Sequence, residues 1–542
     1  MENSMQTRAA EIATWNVLVL DGLEESGIEI LRASEILRTE ALKKLPREEL
    51  LEKIANVDAL VIRSATKVDK ELLERAPRLK LIGRAGIGVD NVDMAEATRR
   101  GILVMNTPSE NTTTTAEHAL ALLLALAKNI PQANVSMHSG LWEKSRFLGV
   151  ELDQKTLGII GLGNIGKIVS TKASGLGMEV IAFDPYLTQE LVRPYKATLV
   201  DLDTLLSRSD VITIHTPMTD ATRGLIGRRA FERMKRGVLL INAARGGIVV
   251  EKDLLWALEE GIVAGAGMDV FEQEPLPKEH PFRAMDNVVM TPHIGAATKE
   301  AQRNVALGIA KQIADYLEKG ILRNAVNFPA VPPEVAIRIE PFQGLAVKLG
   351  ELMGQLWEGP VRSVRLEYRG ELASMPVAIL TSAFLKTFLG FMLGEKVNEV
   401  SAPYLAKERG IEVIEASNSQ STEYTSLIGV NVQDSSKEFR VEGTVFGKNN
   451  PRVVRMGEFQ LEFSPAGFIL FLENRDVPGV VGRIGSELGK EGINIAGLML
   501  GREESGGLAY ALYHVDNDIP AHLLERIRQM PDIMRAKVVR FK

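Results

Sequence analysis

Three side chains near the middle of the chain carry the functional groups that the interconversion of an alcohol and a carbonyl compound requires. His293 stands in Thr-Pro-His-Ile-Gly, Glu274 in Phe-Glu-Gln-Glu-Pro and Arg245 in Ala-Ala-Arg-Gly-Gly. An imidazole can take up the alcohol proton, a carboxylate can orient the imidazole, and a guanidinium can hold a substrate carboxylate through two parallel hydrogen bonds. The set therefore suggests a hydride transfer that is coupled to proton transfer, although each residue alone could be an ordinary loop residue.

A glycine-rich motif upstream of these residues predicts the hydride acceptor. Residues 161–166 read Gly-Leu-Gly-Asn-Ile-Gly, between an apolar strand pattern and a helical pattern. The first glycine permits a tight turn, the second lets the backbone approach a pyrophosphate, and the third lets helix and strand pack closely. Asp184, about 20 residues further on, would accept hydrogen bonds from a ribose and repel the extra phosphate of NADP, so we expect NAD. The cofactor residues predicted from this motif are Gly161, Gly163, Asn164, Ile165, Gly166 and Asp184.

Taken in order, these motifs resemble those of the D-isomer-specific 2-hydroxyacid dehydrogenases. The resemblance implies that His293 is the general acid and base, that Glu274 raises the pKa of the imidazole, and that Arg245 binds the substrate carboxylate. It also adds cofactor contacts, and for two of these, Asp269 and Thr216, capping of a strand end is the alternative role. The added cofactor residues are Thr216, Ala243, Arg245, Asp269, His293, Gly295 and Ala296.

Two loops of the N-terminal part indicate which hydroxy acid is bound. Residues 63–67 read Arg-Ser-Ala-Thr-Lys and residues 83–91 read Gly-Arg-Ala-Gly-Ile-Gly-Val-Asp-Asn, and each segment follows an apolar strand pattern. In the resembling enzymes these loops bind the carboxylate and the phosphate of D-3-phosphoglycerate. Surface arginines without a ligand are the alternative, and Ile87 replaces a threonine that some relatives place near the cofactor. The expected substrate residues are Arg63, Ser64, Arg84, Gly86 and Gly88.

Length and composition describe a globular protein of several domains. The 542 residues are too many for one core, and the net charge of −6 comes without a block of lysine or arginine, which argues against nucleic acid or an anionic membrane as partner. The most apolar stretch, residues 116–130, belongs to a helix predicted over residues 112–130 and is shorter than the roughly 20 residues that cross a bilayer. Cysteine is absent and the histidines lack ligand spacing, so we expect no disulfide, no metal and a cytoplasmic location.

Strand and helix patterns alternate through the first half of the chain, which predicts an α/β fold with two Rossmann-like, doubly wound domains of parallel sheet. We assign residues 15–111 to a substrate-binding domain and residues 112–295 to an NAD-binding domain, after a disordered leader at residues 1–14. The resemblance adds residues 296–328 to the first domain, which becomes discontinuous. This added segment contains a helix from about residue 298 to residue 319.

Three prolines within residues 329–333 predict a linker to a C-terminal half of different character. Residues 340–410 are mainly helical in pattern, and residues 423–463 alternate polar and apolar residues as antiparallel strands do. Residues 467–542 read strand, helix, strand, strand, helix, strand, which is the order of a ferredoxin-like fold, and we assign residues 464–542 to this domain. The resemblance implies an α+β intervening domain of the allosteric substrate-binding type at 329–463, followed by an ACT regulatory domain.

The ACT resemblance depends on two segments, Asn-Arg-Asp-Val-Pro-Gly-Val at residues 474–480 and Glu-Gly-Ile-Asn-Ile at residues 491–495. It places a carboxylate beside the start of the next strand. Asn474, Asp476 and Asn494 would then hold the ammonium and carboxylate groups of an amino acid, commonly across a dimer interface. L-Serine is the expected effector, and a homodimer or homotetramer is the expected assembly. ACT domains that only pair with one another are the alternative.

Taken with these features, the resemblance implies NAD-dependent oxidation of D-3-phosphoglycerate to 3-phosphohydroxypyruvate, the first step of L-serine biosynthesis, with regulation through the ACT domain. A glyoxylate or hydroxypyruvate reductase is the nearer alternative, and the two arginine loops and the long C-terminal half disfavour it. The other alternative is an NAD-sensing binding protein similar to the corepressors that use this scaffold. Such proteins keep the catalytic residues, so the features that separate the chain from them are the ACT-like tail and the absence of a disordered interaction tail.

Overall fold

The computed structural model describes residues 14–394, 397–420, 423–502 and 504–542. Four β-sheets organise this part of the chain, and they are called the first to fourth sheets in chain order. The predicted leader lies outside the described residues except for its last residue, Thr14. Within the described ranges, no helix combines the length and the apolar character needed to span a membrane.

The first sheet is parallel and has helices on both faces. Its elements are β1 (Trp15–Val19), α1 (Glu25–Arg32), β2 (Leu37–Ala41), α2 (Arg47–Lys53), β3 (Ala59–Ile62), α3 (Lys70–Glu74), β4 (Leu81–Arg84), α4 (Met94–Arg99) and β5 (Leu103–Met105). The strand order is β2-β1-β3-β4-β5. The central strand β3 is buried throughout, as expected for a parallel sheet that helices cover on both sides. The sequence pattern does not predict β2, because this edge strand contains three polar residues and is only partly buried.

The second sheet is also parallel and has seven strands in the order β12-β11-β10-β9-β6-β7-β8. The elements of this part are α5 (Thr112–Ala127), α6 (Ile130–His138), β6 (Thr156–Ile160), α7 (Asn164–Gly175), β7 (Glu179–Phe183), α8 (Gln189–Val192), β8 (Thr198–Leu199), α9 (Leu202–Arg208), β9 (Val211–Ile214), α10 (Arg228–Phe231), β10 (Val238–Asn242), α11 (Glu251–Glu259), β11 (Val263–Met268), β12 (Val288–Met290) and α12 (Lys299–Lys319). The chain moves outward from β6 to β8 and then resumes on the other side of β6 at β9. Doubly wound folds bind ligands in the crevice at such a switch point.

The single helix predicted over residues 112–130 is wrong at its C-terminal end. α5 stops at Ala127, Asn129 takes a left-handed conformation with φ 52°, and α6 then begins. Pro131 stands in the first turn of α6, where its missing N–H removes no helical hydrogen bond. This proline was the sequence signal for a new helix.

α12 follows the second sheet in the chain but packs on the first. Its apolar residues Val305, Ile309 and Ile313 are buried in the core that also contains the strands of the first sheet. The helix approaches α1 closely because Gly27 has no side chain, and a Cβ at that position would lie 2.6 Å from the Ala306 carbonyl oxygen. The core beneath the first sheet is therefore built from two separate stretches of chain.

The third sheet is mixed and carries its helices on one face. Its elements are α13 (Pro333–Leu356), β13 (Ser363–Gly370), α14 (Ala378–Leu393), α15 (Ala402–Glu408), β14 (Glu412–Asn418), β15 (Ser426–Gln433), β16 (Glu438–Phe446), β17 (Asn450–Met456) and β18 (Phe459–Phe463). The strand order is β14-β13-β15-β16-β17-β18, and only the β13–β14 pair is parallel among the pairs of the described residues. α13 and α14 pack against each other over the buried face.

The sequence interpretation needs two corrections here. The segment 340–410, predicted to be mainly helical, contains β13, in which Val364, Leu366 and Tyr368 are buried and alternate with more exposed residues. This alternation is the sequence signal of a strand. Pro333, predicted to lie in a linker, is instead the first residue of α13, a position that proline tolerates well.

The fourth sheet confirms the predicted ferredoxin-like order. Its elements are β19 (Phe468–Arg475), α16 (Val480–Lys490), β20 (Ile495–Arg502), β21 (Leu508–Val515), α17 (Ala521–Arg528) and β22 (Ile533–Arg540). The strands are antiparallel in the order β20-β21-β19-β22. α16 and α17 cover one face. Side chains of the other face, including Phe471 and Leu512, join the apolar core of the third sheet, so the two C-terminal sheets share a core.

Candidate active site

Three adjacent parallel strands gather the predicted catalytic residues. β10, β11 and β12 lie side by side in the second sheet, and Arg245, Glu274 and His293 follow them in that order. The carboxyl ends of neighbouring parallel strands meet at one edge of a sheet. Residues that are far apart in sequence are therefore brought to one cleft by the topology.

A short hydrogen bond joins the imidazole to a carboxylate. His293 Nδ1 lies 2.7 Å from Glu274 Oε2, and Glu274 Oε1 accepts a hydrogen bond from the Phe271 N–H at 3.1 Å. The hydrogen bond with Glu274 raises the pKa of His293, against the opposing effect of burial. Burial acts to raise the pKa of Glu274, but the hydrogen bonds from His293 and Phe271 hold this pKa below its usual value. An ionised carboxylate thus orients the ring and leaves Nε2 for a substrate proton.

Asp269 fixes the loop that carries His293. Its Oδ1 accepts hydrogen bonds from the Thr291 hydroxyl at 2.6 Å and from the Ile294 N–H at 2.8 Å, and its Oδ2 accepts one from the Gly295 N–H at 2.8 Å. His293 has φ 54°, a left-handed conformation that few residues other than glycine adopt. The network holds it there. These hydrogen bonds are the ones expected if Asp269 caps a strand end, which was the alternative role. The predicted contact of Asp269 with a cofactor stays a prediction.

Sequence reasoning missed His118, which α5 brings to the same carboxylate. Its Nε2 lies 3.2 Å from Asp269 Oδ1 and 3.1 Å from Thr291 Oγ1. Burial opposes the charge of Asp269, whereas the hydrogen bonds from His118 and Thr291 keep its pKa below the usual value. The sequence signal was a histidine directly before the apolar run of the helix. In the described part of the chain, no three His, Asp or Glu side chains are grouped so that they could hold a metal ion.

The three glycines of the nucleotide motif stand in different environments. Gly161 has φ 90°, and a Cβ there would lie 2.9 Å from the His215 backbone. At Gly166 a Cβ would lie 2.2 Å from the Gly161 carbonyl oxygen, so the missing side chain lets α7 pack on β6. Nothing lies within 4 Å of the Cβ position of Gly163, which leaves room for a phosphate. α7 begins at Asn164 without a side-chain cap, and the N–H groups of a helix N-terminus attract such an anion.

Residues at the ends of neighbouring strands surround this motif. Asp184 follows β7, and its Oδ2 accepts a hydrogen bond from the Leu162 N–H at 3.0 Å. Thr216 follows β9, and its methyl group lies 3.1 Å from the Cβ position of Gly161. Ala243 follows β10 and is buried. Two further predicted contacts, Ile165 and Ala296, are half-buried. A glycine turn with open space for phosphates and a carboxylate beside it fits a dinucleotide such as NAD.

Arg245 reaches from the second sheet to a loop of the first. Its Nε donates to Asp90 Oδ2 at 2.9 Å and its Nη1 to the Ala244 carbonyl oxygen at 2.7 Å. The guanidinium lies against Gly88, where a Cβ would be 1.8 Å from Nη2. Asn242 shapes the turn, since its amide accepts from the Ala244 N–H and donates to the Arg245 carbonyl oxygen. Two predicted site residues, Arg245 and Gly88, are therefore neighbours across the cleft, whereas Asp90 and Asn242 were not singled out from the sequence.

Arg84 lies near Arg245, and part of its guanidinium has no hydrogen-bond partner among the described residues. Burial lowers the pKa of Arg84 to about 10, and the positive charges of Arg245 and Arg63 act in the same direction, while Asp90 partly compensates. Its Nε is buried and has no hydrogen-bond partner among the described residues. Gly86 has φ 146°, and a Cβ there would lie 1.6 Å from Arg84 Nη1, so glycine lets the side chain fold over the loop. Positive charge from Arg245 and Arg63 therefore acts on Arg84, an arrangement suited to binding an anion.

A second carboxylate anchors the other arginine loop. Asp21 follows β1, and its carboxylate accepts hydrogen bonds from the Arg63 N–H at 2.9 Å and from the Thr66 N–H at 3.0 Å and hydroxyl at 2.7 Å. Asn91 donates to the carbonyl oxygens of Arg63 and Thr66 and so ties the two predicted substrate loops together. Ser64 is exposed in the same loop. Sequence reasoning missed Asp21 and Asn91, whose partners lie far away in the chain.

The expected effector residues do not come together within one chain. Asn474 pairs with Ala509, which in turn pairs with Arg502 at the end of β20, whereas Asn494 precedes the start of β20. Asn474 and Asp476 therefore lie at one end of the fourth sheet and Asn494 at the other. The expectation that Asp476 stands beside Asn494 is wrong for a single chain, because α16 returns the chain to the starting end of the sheet before β20 begins.

Each of these residues has its own contact. Asp476 forms an ion pair with Arg502, and Asn494 Nδ2 donates to Asp516 Oδ2 at 2.8 Å. Asn474 Nδ2 donates to the Arg475 carbonyl oxygen at 2.7 Å. The Oδ1 atom of Asn474 is buried and has no hydrogen-bond partner in the described part of the chain. A buried acceptor of this kind is costly unless another group satisfies it.

Family models match three parts of the chain. Residues 120–295 match the model of the D-isomer specific 2-hydroxyacid dehydrogenase, NAD binding domain. Residues 338–457 match the D-3-phosphoglycerate dehydrogenase intervening domain, and residues 468–532 match the ACT domain. The matches correspond to the second, third and fourth sheets. They confirm the family resemblance and the fold class that the sequence predicts.

Solved structures resemble a little more than half of the chain. A glyoxylate reductase from Paecilomyes thermophila is 29% identical, covers 58% of this chain and 98% of its own, and has a TM-score of 0.54. A D-lactate dehydrogenase from Aquifex aeolicus, solved with NAD and lactic acid, is also 29% identical. It covers 58% of this chain and 100% of its own, with a TM-score of 0.51.

Curated relatives match almost the whole chain. The D-3-phosphoglycerate dehydrogenase of Methanocaldococcus jannaschii is 41% identical over 524 residues, which is 96% of this chain and 99% of the relative. The enzyme of the same name from Archaeoglobus fulgidus is 43% identical with the same two coverages, and that from Bacillus subtilis is 38% identical over 97% and 99%. The chain belongs to the D-3-phosphoglycerate dehydrogenase family.

Proposed function

We propose that the protein oxidises D-3-phosphoglycerate to 3-phosphohydroxypyruvate with NAD as the hydride acceptor, the first step of L-serine biosynthesis. The relatives of that name align with nearly all of the chain. The observation that carries the proposal is the His293–Glu274 pair, at 2.7 Å, in a cleft where the charges of Arg245 and Arg63 act on the buried Arg84. A phosphorylated hydroxy acid needs both a proton acceptor and an anion site. We expect the reaction to take place in the cytoplasm, which cell fractionation would test.

His293 is the group that takes the proton of the substrate hydroxyl. With the Nδ1 proton directed at Glu274, the lone pair of Nε2 is available to that hydroxyl. The ring becomes positive when the proton arrives, and the Glu274 carboxylate stabilises this charge. NAD, bound at the glycine motif, supplies the acceptor for the hydride that leaves C2. Removal of the proton and of the hydride together converts the alcohol into the ketone.

The arginines bind the two anionic ends of the substrate. A guanidinium keeps its charge at every working pH and forks onto carboxylate or phosphate oxygens. Arg245, in the turn after β10, binds the substrate carboxylate and polarises the carbonyl group as it forms. Arg63 and Arg84 supply charge for the phosphate, and the unpartnered Nε of Arg84 gains an acceptor when this anion arrives.

A glyoxylate or hydroxypyruvate reductase is the alternative that one observation favours, namely the structural likeness to a glyoxylate reductase. That likeness covers 58% of this chain and leaves the C-terminal half unexplained. Substrates without a phosphate would also make no use of the charge that Arg63 and Arg84 bring to the cleft. These two features favour the phosphorylated substrate.

Steady-state rates with NAD and a panel of 2-hydroxy acids, each with and without a phosphate, test the proposal directly. We expect kcat/KM to be highest for D-3-phosphoglycerate, and D-glycerate is the matched control because it lacks only the phosphate. Hydroxypyruvate reduction with NADH tests the alternative in the other direction. Equal specificity for the two acids would reject the assignment of a phosphorylated substrate.

We propose that the protein is a homodimer or a homotetramer. One segment of the second sheet region, residues 130–150, exposes many large apolar side chains. They are Ile130, Val135, Met137, Leu141, Trp142, Leu148 and Val150. Exposed apolar surface of this extent is typical of an association site. Analytical ultracentrifugation of the wild type and of Trp142→Glu tests the idea, since a charge in the interface should favour the smaller species.

We further propose that L-serine regulates the enzyme through the ACT domain and that two copies of the chain form the effector site. β20 is an edge strand of the fourth sheet, and sheet edges are natural pairing surfaces. Antiparallel pairing of β20 with its copy would place the start of one strand beside the end of the other. Asn494 of one chain would then approach Asn474 and Asp476 of the second, and the buried Asn474 Oδ1 would gain a donor from the ammonium group.

A further inference from the structure

The carboxylate of Asp90 contacts the substrate-binding guanidinium from the opposite side of the cleft. Asp90 belongs to the loop after β4 of the first sheet, and Arg245 belongs to the turn after β10 of the second. The 2.9 Å contact uses Nε of Arg245, while Nη1 donates to the Ala244 carbonyl oxygen. The protein thus holds two of the three nitrogens of this guanidinium, and the third lies beside Gly88.

This contact is not explained by the stability of the fold. The Asp90 side chain is 61% exposed, and ion pairs at such exposure stabilise a protein only slightly. Other carboxylates near these loops have clear structural roles, because Asp93 caps α4 and Asp21 anchors the Arg63 loop. Among the described residues, the Asp90 side chain hydrogen-bonds only to Arg245. The contact of the Asp90 carboxylate with the Arg245 guanidinium is therefore better explained by a role in the cleft.

We propose that Asp90 is a positioning residue for the oxidation, because its carboxylate fixes Arg245 Nε and so turns the remaining edge of the guanidinium toward the substrate carboxylate. The inference deepens the proposed function and depends on its assignment of Arg245. Gly88 contributes to the same arrangement, because a side chain there would occupy the place of Nη2. Since Asp90 and Arg245 come from different sheets, their contact also joins the two walls of the cleft.

The charge of Asp90 serves the same site. Arg84 and Arg63 also bring positive charge to this cleft, and Arg84 experiences both the repulsion of Arg245 and the attraction of Asp90. Without Asp90, Arg245 would lose the carboxylate at its Nε, while the repulsion between Arg245 and Arg84 would remain. A fixed carboxylate at Nε opposes this repulsion and leaves the net charge of the cleft positive enough for a phosphorylated acid.

Two substitutions separate the hydrogen bond from the charge. Asp90→Ala removes both, and we expect kcat/KM to fall about 10- to 100-fold, which is the range for loss of a hydrogen bond to a charged group. The loss should be equal for phosphorylated and unphosphorylated 2-hydroxy acids, because Arg245 binds the carboxylate that all of them share. Asp90→Asn keeps an oxygen acceptor at the same place, and we expect it to retain most of kcat/KM, within about 5-fold of the wild type.

The pH profile supplies a readout that a merely structural role would not change. The positive charge of Arg245 lowers the pKa of His293, which also faces Glu274 and Asp269. Removal of the Asp90 charge should strengthen this effect and move the acid limb of kcat/KM to lower pH in Asp90→Asn. Asp93→Asn is the control, because asparagine also caps helices and its charge change lies in the same loop. Fluorescence titration with NADH should give the same dissociation constant for all variants.

Three results would overturn the proposal. These are a kcat/KM of Asp90→Ala within twofold of the wild type, equal losses in Asp90→Ala and Asp90→Asn, and a loss confined to phosphorylated substrates. The last result would assign Asp90 to the phosphate site instead. The comparison is made with whichever 2-hydroxy acid the wild-type enzyme oxidises best. A different preferred substrate would therefore reject the proposed function and leave the test of Asp90 intact.

Discussion

The catalytic cleft and the effector region of the ACT domain are built in opposite ways. In the cleft, residues from the ends of β10, β11 and β12 meet within one chain, and His293 and Glu274 are 2.7 Å apart. In the fourth sheet, Asn474 and Asn494 are separated by a turn and helix α16, and they lie at opposite ends of the sheet. The catalytic residues all follow the carboxyl ends of their strands, whereas Asn474 lies near the end of β19 and Asn494 precedes the start of β20, so helix α16 carries the chain from one end of the sheet to the other between them. The comparison leads us to expect that one chain supplies these catalytic groups and that two chains together would form the proposed effector site.

The largest effect should come from the cleft itself. We expect His293→Ala to lower kcat by about 10²- to 10⁴-fold, because the acceptor for the hydroxyl proton is lost. Binding of NADH, followed by fluorescence, should be nearly unchanged because the glycine motif is intact. His522→Ala, in α17 of the ACT domain, is the control and should keep the wild-type rate. A variant at His293 with near-normal turnover would remove this residue from the mechanism.

The substrate side of the cleft should show a smaller and selective effect. Arg84→Ala should raise KM for D-3-phosphoglycerate about 10- to 100-fold more than KM for D-glycerate, because a charge-assisted hydrogen bond to phosphate is lost for only one of them. Arg75→Ala, at an exposed position after α3, is the matched control. Parallel losses for the two acids would instead assign Arg84 to the carboxylate or to folding.

The His293–Glu274 pair also makes a prediction about pH. The base must be neutral to accept a proton, so kcat/KM for oxidation should fall as the pH drops through the pKa of His293. Glu274 raises this pKa, so the inflection should lie above the ordinary value of about 6.5. Glu274→Gln removes the charge and should move the inflection to lower pH while lowering the maximal rate. An unchanged inflection in Glu274→Gln would show that another group controls the profile.

The smallest effect should come from the effector region, and it should depend on assembly. Asn494→Ala removes a neutral hydrogen-bonding group, and we expect the dissociation constant for L-serine to rise about 2- to 10-fold in isothermal titration calorimetry. The same measurement at protein concentrations below and above the dimerisation midpoint tests the need for two chains. Full affinity in a monomer would contradict the shared site, and no heat of binding in any state would make the ACT domain an assembly module.

Local motifs made the catalytic half predictable from the sequence. The glycine spacing of residues 161–166 specifies a turn, a phosphate approach and a helix contact within six residues, and parallel topology then fixes where Arg245, Glu274 and His293 must meet. The fourth sheet was equally clear as an order of elements. The sequence did not show which effector residues of this sheet are neighbours, because the direction in which α16 returns the chain decides which ends of the strands lie together.

Residues whose partners are distant in the chain escaped prediction. Asp90 and Asn91 bond to groups 155 and 28 residues away, and nothing in the local sequence distinguishes them from ordinary turn residues. His118 stood out only as a histidine directly before the apolar run of a helix. Strand β13 was missed because its short alternating pattern lies between two long helical patterns. In each case tertiary contacts decide the role, and local propensity carries little information about them.

The return of α12 to the first sheet has a consequence for the order in which the nascent protein matures. Domains generally fold as they leave the ribosome, N-terminal ones first. Here the first sheet emerges early but lacks Val305, Ile309 and Ile313, which complete its apolar core. All strands of the second sheet are synthesised before these residues. The N-terminal sheet is thus the first to be translated, and it is completed only after the nucleotide-binding sheet has its full set of strands.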